Sequence, residues 1–350
     1  MVKASLIWLN YNSSGFIDIA LRSIESVLSL DFDDYEVIVV DNASSDGSFE
    51  RIRKFVEERK PSGVRVKFVE SDANRGYAGG MNLGWEARDE DSKYVAFLNN
   101  DIIIEPGSLR KLTEHMEEKE KLAAASGLIY LGDGGRIYSA GGWIDELLVG
   151  GGICRGLSVS ECLDINKEHY VTYADGAYML VKAEAVRKAC SNGKPFMEET
   201  FLYLDDSLLG LILWNRGYKI KYIPVDSGVH FVSMTTRGSK VTYYSTRGST
   251  ALWYLTKTKY SNLRWLWLLR RRLYRFFIYK DLNGAVKDGV RLGMKLRDAL
   301  GMLNLYCAPY VKVNWLDVIE ELTLIRYYMR RGRVYTVKPT DLTYDPSAYH

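Results

Sequence analysis

Tyr94-Val95-Ala96-Phe97-Leu98-Asn99-Asn100-Asp101 joins an apolar run directly to two amides and a carboxylate. Consecutive apolar residues after Tyr94 suit a strand in the middle of a parallel sheet, where both faces are covered. Polar groups at the carboxyl end of such a strand fall in the crevice where open α/β sheets bind ligands. A carboxylate there, flanked by amides, can hold a hard divalent cation against the phosphates of a nucleotide. Taken alone, the same triplet is equally well explained as a turn, because Asn and Asp favour the positions that follow strands. The neighbouring segments decide between the two.

Upstream, the pattern predicts strands at Ala4–Leu9, Glu36–Val40 and Val64–Val69. Helical spacing covers Ile17–Leu30 and Ser48–Glu58, and a short helix follows at Met81–Arg88. This alternation implies an α/β fold: a Rossmann-like, mostly parallel sheet flanked by helices, with right-handed crossovers. Downstream, a helix from Pro106-Gly107 to about Glu120 precedes a strand at Leu122–Tyr130. Gly-rich Leu131–Tyr170 reads as loops and short strands over the sheet face. A strand at Val171–Val181, helices at Ala183–Cys190 and Phe201–Asn215, and a terminal strand at Tyr218–Ile223 follow. From Tyr244 to about Arg331 the spacing is helical. The expected divisions are an α/β unit over 1–240, a helical basic and aromatic region over 241–337, and a poorly ordered tail over 338–350.

Composition narrows the class. Hydrophobic content of 47% and charged content of 26% are those of a globular protein with a sizeable core. A net charge of +3 gives no footprint for nucleic acid, so none is expected as a partner. The 4 cysteines form no C-x-x-C pair, and the chain starts on an apolar strand without a leader pattern. They read as small buried apolar residues of a cytoplasmic protein. No run approaches the roughly 18 apolar residues of a membrane span. Asn262–Lys280 sets Trp265, Leu266, Leu269, Leu273, Phe276 and Phe277 against Arg264, Arg271, Arg272 and Arg275. Such a segment suits peripheral contact with the inner face of a membrane, or packing on the α/β unit with snorkelling arginines. The Tyr- and Trp-rich second half could also supply a homo-oligomer interface.

Other strand ends point to the same crevice. The first ends in Asn10-Tyr11-Asn12 and the second in Asp41-Asn42, and the third leads to Asp72-Ala73-Asn74-Arg75-Gly76-Tyr77-Ala78-Gly79-Gly80-Met81-Asn82. A carboxylate such as Asp41 can accept from a base or a ribose hydroxyl. A Gly-rich turn before a helix lets backbone approach a diphosphate, while Asp46 reads as a helix cap. Adjacent carboxylates at Asp205-Asp206 repel, which can lift one toward the range of a general base. His230 closes a later strand, and beside Asp101 it would complete a metal site. Arg75 and Arg247 are candidate cations for phosphates.

Asn10-Tyr11-Asn12, Val39–Ser48, Asn74–Asn82, Leu98–Asp101, Phe201–Asp206, Arg216–Ile220 and Val229-His230 together resemble family 2 glycosyltransferases of the rhamnosyltransferase-like branch. The resemblance implies a GT-A fold, with residues 1–240 as catalytic domain. It also implies a nucleotide-sugar donor, a Mg²⁺ or Mn²⁺ ion, inversion at the anomeric carbon, and a saccharide or polyprenyl-linked saccharide acceptor. On this basis Asn10, Asn12, Asp41, Asp72, Arg75, Gly79, Asn82, Asn99 and Asn100 would bind the donor, and Asp101 and His230 the metal. Asp206 would be the catalytic base with Asp205 beside it, and Asp175 and Gly176 would line the acceptor side. Asn99 stands where the family's D-x-D motif has its first Asp, and Leu208 where many relatives have an acid. The Arg264-Trp265 pair lacks the Gln of the processive synthases' Q-x-x-R-W, so addition of a single sugar is expected. A sugar-nucleotide nucleotidyltransferase would carry a Gly-rich basic loop after its first strand, where Ser13-Ser14 stand here. A non-catalytic scaffold would not need Asp41, Asp101, Asp206 and His230 together.

Overall fold

The structure, a computed structural model, describes residues 3–117, 119–132, 134–232, 238–269, 282–322 and 336–344. β1 (Ala4–Asn10), β2 (Tyr35–Asp41) and β4 (Tyr94–Asn99) are buried almost throughout, as their apolar runs require. β3 (Arg65–Glu70) alternates in exposure and lies at the sheet edge. β1 pairs in parallel with β2 and β4, and β2 with β3. The connections run through α1 (Ile17–Leu28), α2 (Ser48–Arg59) and α3 (Gly76–Ala87). Side chains alternate between two apolar layers. Leu6, Trp8, Val37, Val39, Ala96 and Leu98 enter one, while Ile7, Ile38, Val40, Val95 and Phe97 enter the other.

Beyond β4 the sheet becomes mixed. β5 (Ile102–Ile104) leads to α4 (Ser108–Glu117) and β6 (Leu122–Leu131). β7 (Ile137–Ser139) returns on β6, and β8 (Gly142–Ile144) pairs with β9 (Gly150–Gly152) in a separate hairpin. β10 (His169–Tyr170) is followed by β11 (Tyr178–Lys182), α5 (Ala183–Ala189), α6 (Asp205–Asn215) and β12 (Lys219–His230). β11 lies antiparallel between β4 and β6, and β12 runs parallel to β6. The order is β10-β12-β6-β11-β4-β1-β2-β3.

Several expectations need correction. α3 begins at Gly76, five residues before the expected Met81, so the Gly-rich stretch is helix and not turn. A Cβ on Gly80 would sit 2.6 Å from a Leu9 methyl and one on Gly84 2.3 Å from an Ile7 methyl, so these glycines let α3 lie close on the sheet. Within the expected Val171–Val181 strand, strand begins only at Tyr178 and runs on to Lys182. α6 starts at Asp205, because Phe201 and Tyr203 hold positive φ. β12 runs past Ile223 to His230, with its register shifted between Tyr222 and Asp226, a bulge that accommodates Pro224. Cys154 and Cys162 form a disulfide, leaving Cys190 and Cys307 as thiols.

The expected continuous helical region is broken into α7 (Ser239–Leu255), α8 (Leu282–Leu300) and a short helix at Trp315–Leu322. Buried Glu146, beside β8, accepts from Val313 N at 2.8 Å and pairs with Lys259 Nζ at 2.7 Å, fixing this region to the sheet side. The start of the tail is packed: Leu342–Thr343 pair with Tyr310–Val311, and the Tyr344 ring meets Trp214. The remainder of the tail lies outside the described residues. So do Arg271, Arg272, Leu273, Arg275, Phe276 and Phe277 of the basic aromatic segment and the stretch around Arg331. No described helix is long and apolar enough to cross a membrane.

Candidate active site

Sheet register gathers the polar strand ends. Asn10 lies opposite Asp41, and Leu9 opposite Asn99. Buried Asn10 donates to Asp41 at 2.9 Å and accepts from Ser13 at 2.6 Å and from Asn100 at 3.2 Å. Asp41 also accepts from the Ser44 backbone N–H and hydroxyl. Asn12, at φ 47°, accepts from Ser45 N–H at 2.9 Å. Asp46 ties Ser14 N–H to Ser48 N–H. Partial burial raises its carboxyl, but the bonds from Ser48 and Ser14 outweigh this and leave it at about 2.

Asp101 and His230 meet although 129 residues separate them. The antiparallel register of β5 on β12 sets His230 opposite Ile102, and Phe231 N–H donates to the Asp101 carbonyl. His230 Nε2 lies 2.9 Å from Asp101 Oδ1, with both side chains buried. His230 Nδ1 is buried without a hydrogen-bond partner among the described residues. These two residues line a cavity of about 600 Å³, as do Asn99, Asn100, Asn42, Asn74 and several aromatic rings.

The other donor candidates, Asn10, Asn12, Asp41, Asp72, Arg75, Gly79 and Asn82, do not line this cavity. Asp72 is largely exposed and pairs with Arg75 at 2.8 Å, and that hydrogen bond holds its carboxyl below the usual range. Neither residue lines the cavity. Buried Asn82 donates to the Phe196 carbonyl and accepts from its N–H, which occupies the amide inside the protein. Gly79 packs against the Arg75 Cβ within α3.

A strained loop separates the cavity from the acid pair. Phe201 and Tyr203 both have φ of 61°, uncommon for aromatic residues. Tyr77 N–H donates to the Phe201 carbonyl at 2.7 Å. At Gly76, with φ 67°, a Cβ would stand 2.1 Å from that same oxygen. From α7, Arg247 donates to the carbonyls of Glu199 and Thr200. Arg247, a candidate cation for phosphates, does not line the cavity, and its Nη2 is engaged on the loop backbone.

Behind this loop, the first turn of α6 carries Asp205 and Asp206. Buried Asp205 accepts from Thr200, and burial lifts its carboxyl to about 6. Asp206 accepts from Ser207 N–H at 2.7 Å and from Gly176 N–H at 3.3 Å. Burial, then the charges of Asp175 and Asp205, lift it from 3.8 to about 7. A helix N-terminus favours the anion, and here desolvation and like charge win. Asp206 does not itself line the cavity. Tyr77, which does, donates to the Gly176 carbonyl at 2.8 Å, and so stands between the cavity and the Asp175–Gly176–Asp206 group.

Sequence reasoning missed Tyr138, Tyr203, Lys240, Tyr243 and Tyr244, all of which line the cavity. Tyr138 packs edge-on against His230 at 4.5 Å, and Arg155 stands over its ring at 4.5 Å. The adjacent Tyr243-Tyr244 pair was a visible signal, whereas nothing local marks Lys240.

The donor set suits a divalent ion. Among the described residues no three His, Cys, Asp or Glu groups gather, so a dedicated all-protein cage is absent. One carboxylate with one imidazole is what an ion completed by substrate phosphates and water requires.

A mostly parallel mixed sheet flanked by helices, as here, is the fold of GT-A glycosyltransferases. The fold is shared with a mannosyltransferase from Pyrobaculum calidifontis solved in complex with GDP-Man and Mn²⁺, at TM-score 0.52 and 15% identity over 86% of this chain and 76% of that one. Residues 5–155 match Glycosyl transferase family 2. The chain is 33% identical over 113 residues to an uncharacterized glycosyltransferase of Nostoc, covering 32% of each chain. It is 30% identical over 117 residues to the poly-beta-1,6-N-acetyl-D-glucosamine synthase of Staphylococcus epidermidis, covering 33% of this chain and 26% of that one. The matched segment thus spans a third or less of these curated relatives.

Proposed function

We propose that the chain transfers a single hexosyl or deoxyhexosyl unit from a nucleotide-sugar donor to a hydroxyl of a saccharide or polyprenyl-linked saccharide, with inversion. The observation that carries this reading is the buried Asp101–His230 pair on a cavity whose lining residue Tyr77 bonds to Gly176, the residue that donates its N–H to Asp206. Asn99, Asn100 and the aromatic rings would seat the donor, with tyrosine faces against base and sugar. Asp101 and His230 would hold Mg²⁺ or Mn²⁺, which when bound neutralises charge on the leaving diphosphate. Lys240 would add a cation at the same place.

The chain's own groups then handle the proton. An acceptor hydroxyl entering beside Asp175 and Gly176 gives its proton to Asp206 as its oxygen bonds to the anomeric carbon. The bond from that carbon to the diphosphate oxygen breaks on the opposite side. General-base help of this kind is worth about a hundred- to ten-thousand-fold. Residues 1–240 form the catalytic unit in this reading, and α7 closes the cavity through Tyr243 and Tyr244. The test is a panel of sugar nucleotides with Mn²⁺ and simple saccharides. Release of nucleoside diphosphate is expected; release of inorganic diphosphate would make the chain a nucleotidyltransferase instead.

A further inference from the structure

We propose that the donor seat extends beyond residue 240, and that Asp288 on α8 is a positioning residue that fixes Tyr243 in the cavity wall. This inference rests on the reading of the cavity as a nucleotide-sugar site. Tyr243 lines the cavity from α7, and its hydroxyl donates to Asp288 Oδ2 at 2.6 Å across 45 residues of sequence. Arg291, one turn further along α8, stands 3.5 Å from Asp288 Oδ1.

Tyr243 ends a row of aromatic rings. It meets Tyr244 edge-on at 5.1 Å, and Tyr244 stacks on Phe201 at 5.2 Å. Phe201, Tyr243 and Tyr244 all line the cavity. Tyr77 N–H holds the Phe201 end through its carbonyl, and Asp288 holds the other end. α8 also grips the loop that carries Phe201. Lys295, about two turns beyond Asp288 and so on the same side of the helix, pairs with Glu199 at 3.1 Å. Close helix packing makes this reach possible. A Cβ on Gly289 would stand 2.5 Å from the Arg247 carbonyl oxygen, and one on Gly293 2.6 Å from that of Ala251. α7 and α8 therefore touch at backbone, and Asp288, beside Gly289, carries that fixed position to the Tyr243 hydroxyl.

An unrestrained side chain samples several rotamers, and a ligand that needs one of them bears the ordering cost on binding. A charge-assisted hydrogen bond holds the ring before the ligand arrives. With its proton on Asp288, Tyr243 offers a ligand its ring and not an O–H donor.

The test is titration calorimetry of the full chain with Mn²⁺ and a nucleoside diphosphate. The probe is whichever of the uridine, guanosine, cytidine, adenosine and thymidine diphosphates wild type binds tightest. Asp288→Ala and Tyr243→Phe should each weaken binding about three- to tenfold, the cost of ordering one side chain. The double variant Asp288→Ala/Tyr243→Phe should bind no more weakly than either single one, because both remove the same bond. Asp288→Asn keeps an oxygen that accepts from the hydroxyl and should bind within about twofold of wild type. Lys287→Ala, at an exposed position on the same helix, should leave binding unchanged. Wild-type affinity in Asp288→Ala would overturn the proposal even where Tyr243→Phe binds weakly, because the hydroxyl would then act on the ligand directly. A double variant whose loss is the product of the two single losses would also overturn it. Wild type binding none of the diphosphates would overturn the reading of the cavity itself, and this inference with it.

Discussion

Asp206 carries the sharpest consequences. Its folded-state carboxyl titrates near 7, against an ordinary 3.8, because burial and two neighbouring carboxylates disfavour the anion. A base acts ionised, so turnover is expected to rise through about pH 7 in a pH–rate profile. Stability must move the other way. Between the unfolded and folded values the native state holds the extra proton, so raising pH through that window removes stability. Asp206→Asn should therefore raise Tm at pH 8 and leave it nearly unchanged at pH 4. It should also reduce transfer by about a hundredfold or more while nucleoside diphosphate still protects against heat. An equal Tm gain at both pH values would mean the carboxyl is not buried as described. The acids were visible as residues in the sequence, but their environment was not. The neighbour that lifts Asp206 most by charge, Asp175, is distant in sequence and arrives only with the fold.

At the scale of elements, the loop 198–204 is the piece that sequence patterning could not give. Apolar Phe201, Leu202 and Leu204 continue the helical spacing of α6, yet contacts from α3 and α7 hold Phe201 and Tyr203 at positive φ. Gly76→Ala would push a Cβ into the Phe201 carbonyl from a left-handed backbone. It should cost on the order of 1–3 kcal/mol or more in denaturant unfolding, with loss of turnover. Arg247→Ala removes the donors to Glu199 and Thr200 and should lower kcat with a smaller change in stability. Rescue by Arg247→Lys would show that one donor is enough. The strands of the parallel half-sheet were legible to within a residue or so, because continuous burial leaves apolar runs in β1, β2 and β4 and the half-exposed edge strand β3 leaves an alternation. The α3 start was not, since its glycines signal a turn locally and are needed for packing on Leu9 and Ile7.

The whole molecule adds two features absent from the sequence reading. The segment at Val337 folds back on the Gly-rich stretch 131–170, where Cys154 N–H donates to the Val337 carbonyl at 2.7 Å. In the same place Cys154 and Cys162 are bonded, with Cα atoms 5.8 Å apart. No spacing rule marks a pair eight residues apart, which is why all four cysteines read as thiols. Thiol titration of the denatured, unreduced chain should find Cys190 and Cys307 alone. Four reactive thiols would contradict the bond. Reducing it is expected to lower Tm, by an amount set by roughly 2–4 kcal/mol for an ordinary disulfide.

The central claim, one divalent ion shared by Asp101, His230 and a donor diphosphate, is tested most directly by anomalous diffraction from crystals soaked with Mn²⁺ and a nucleoside diphosphate. A peak within coordination distance of the Asp101 carboxylate and the His230 imidazole, lost in His230→Ala, is the predicted result. A nucleoside diphosphate bound with its manganese elsewhere, or in a different cavity altogether, would contradict it.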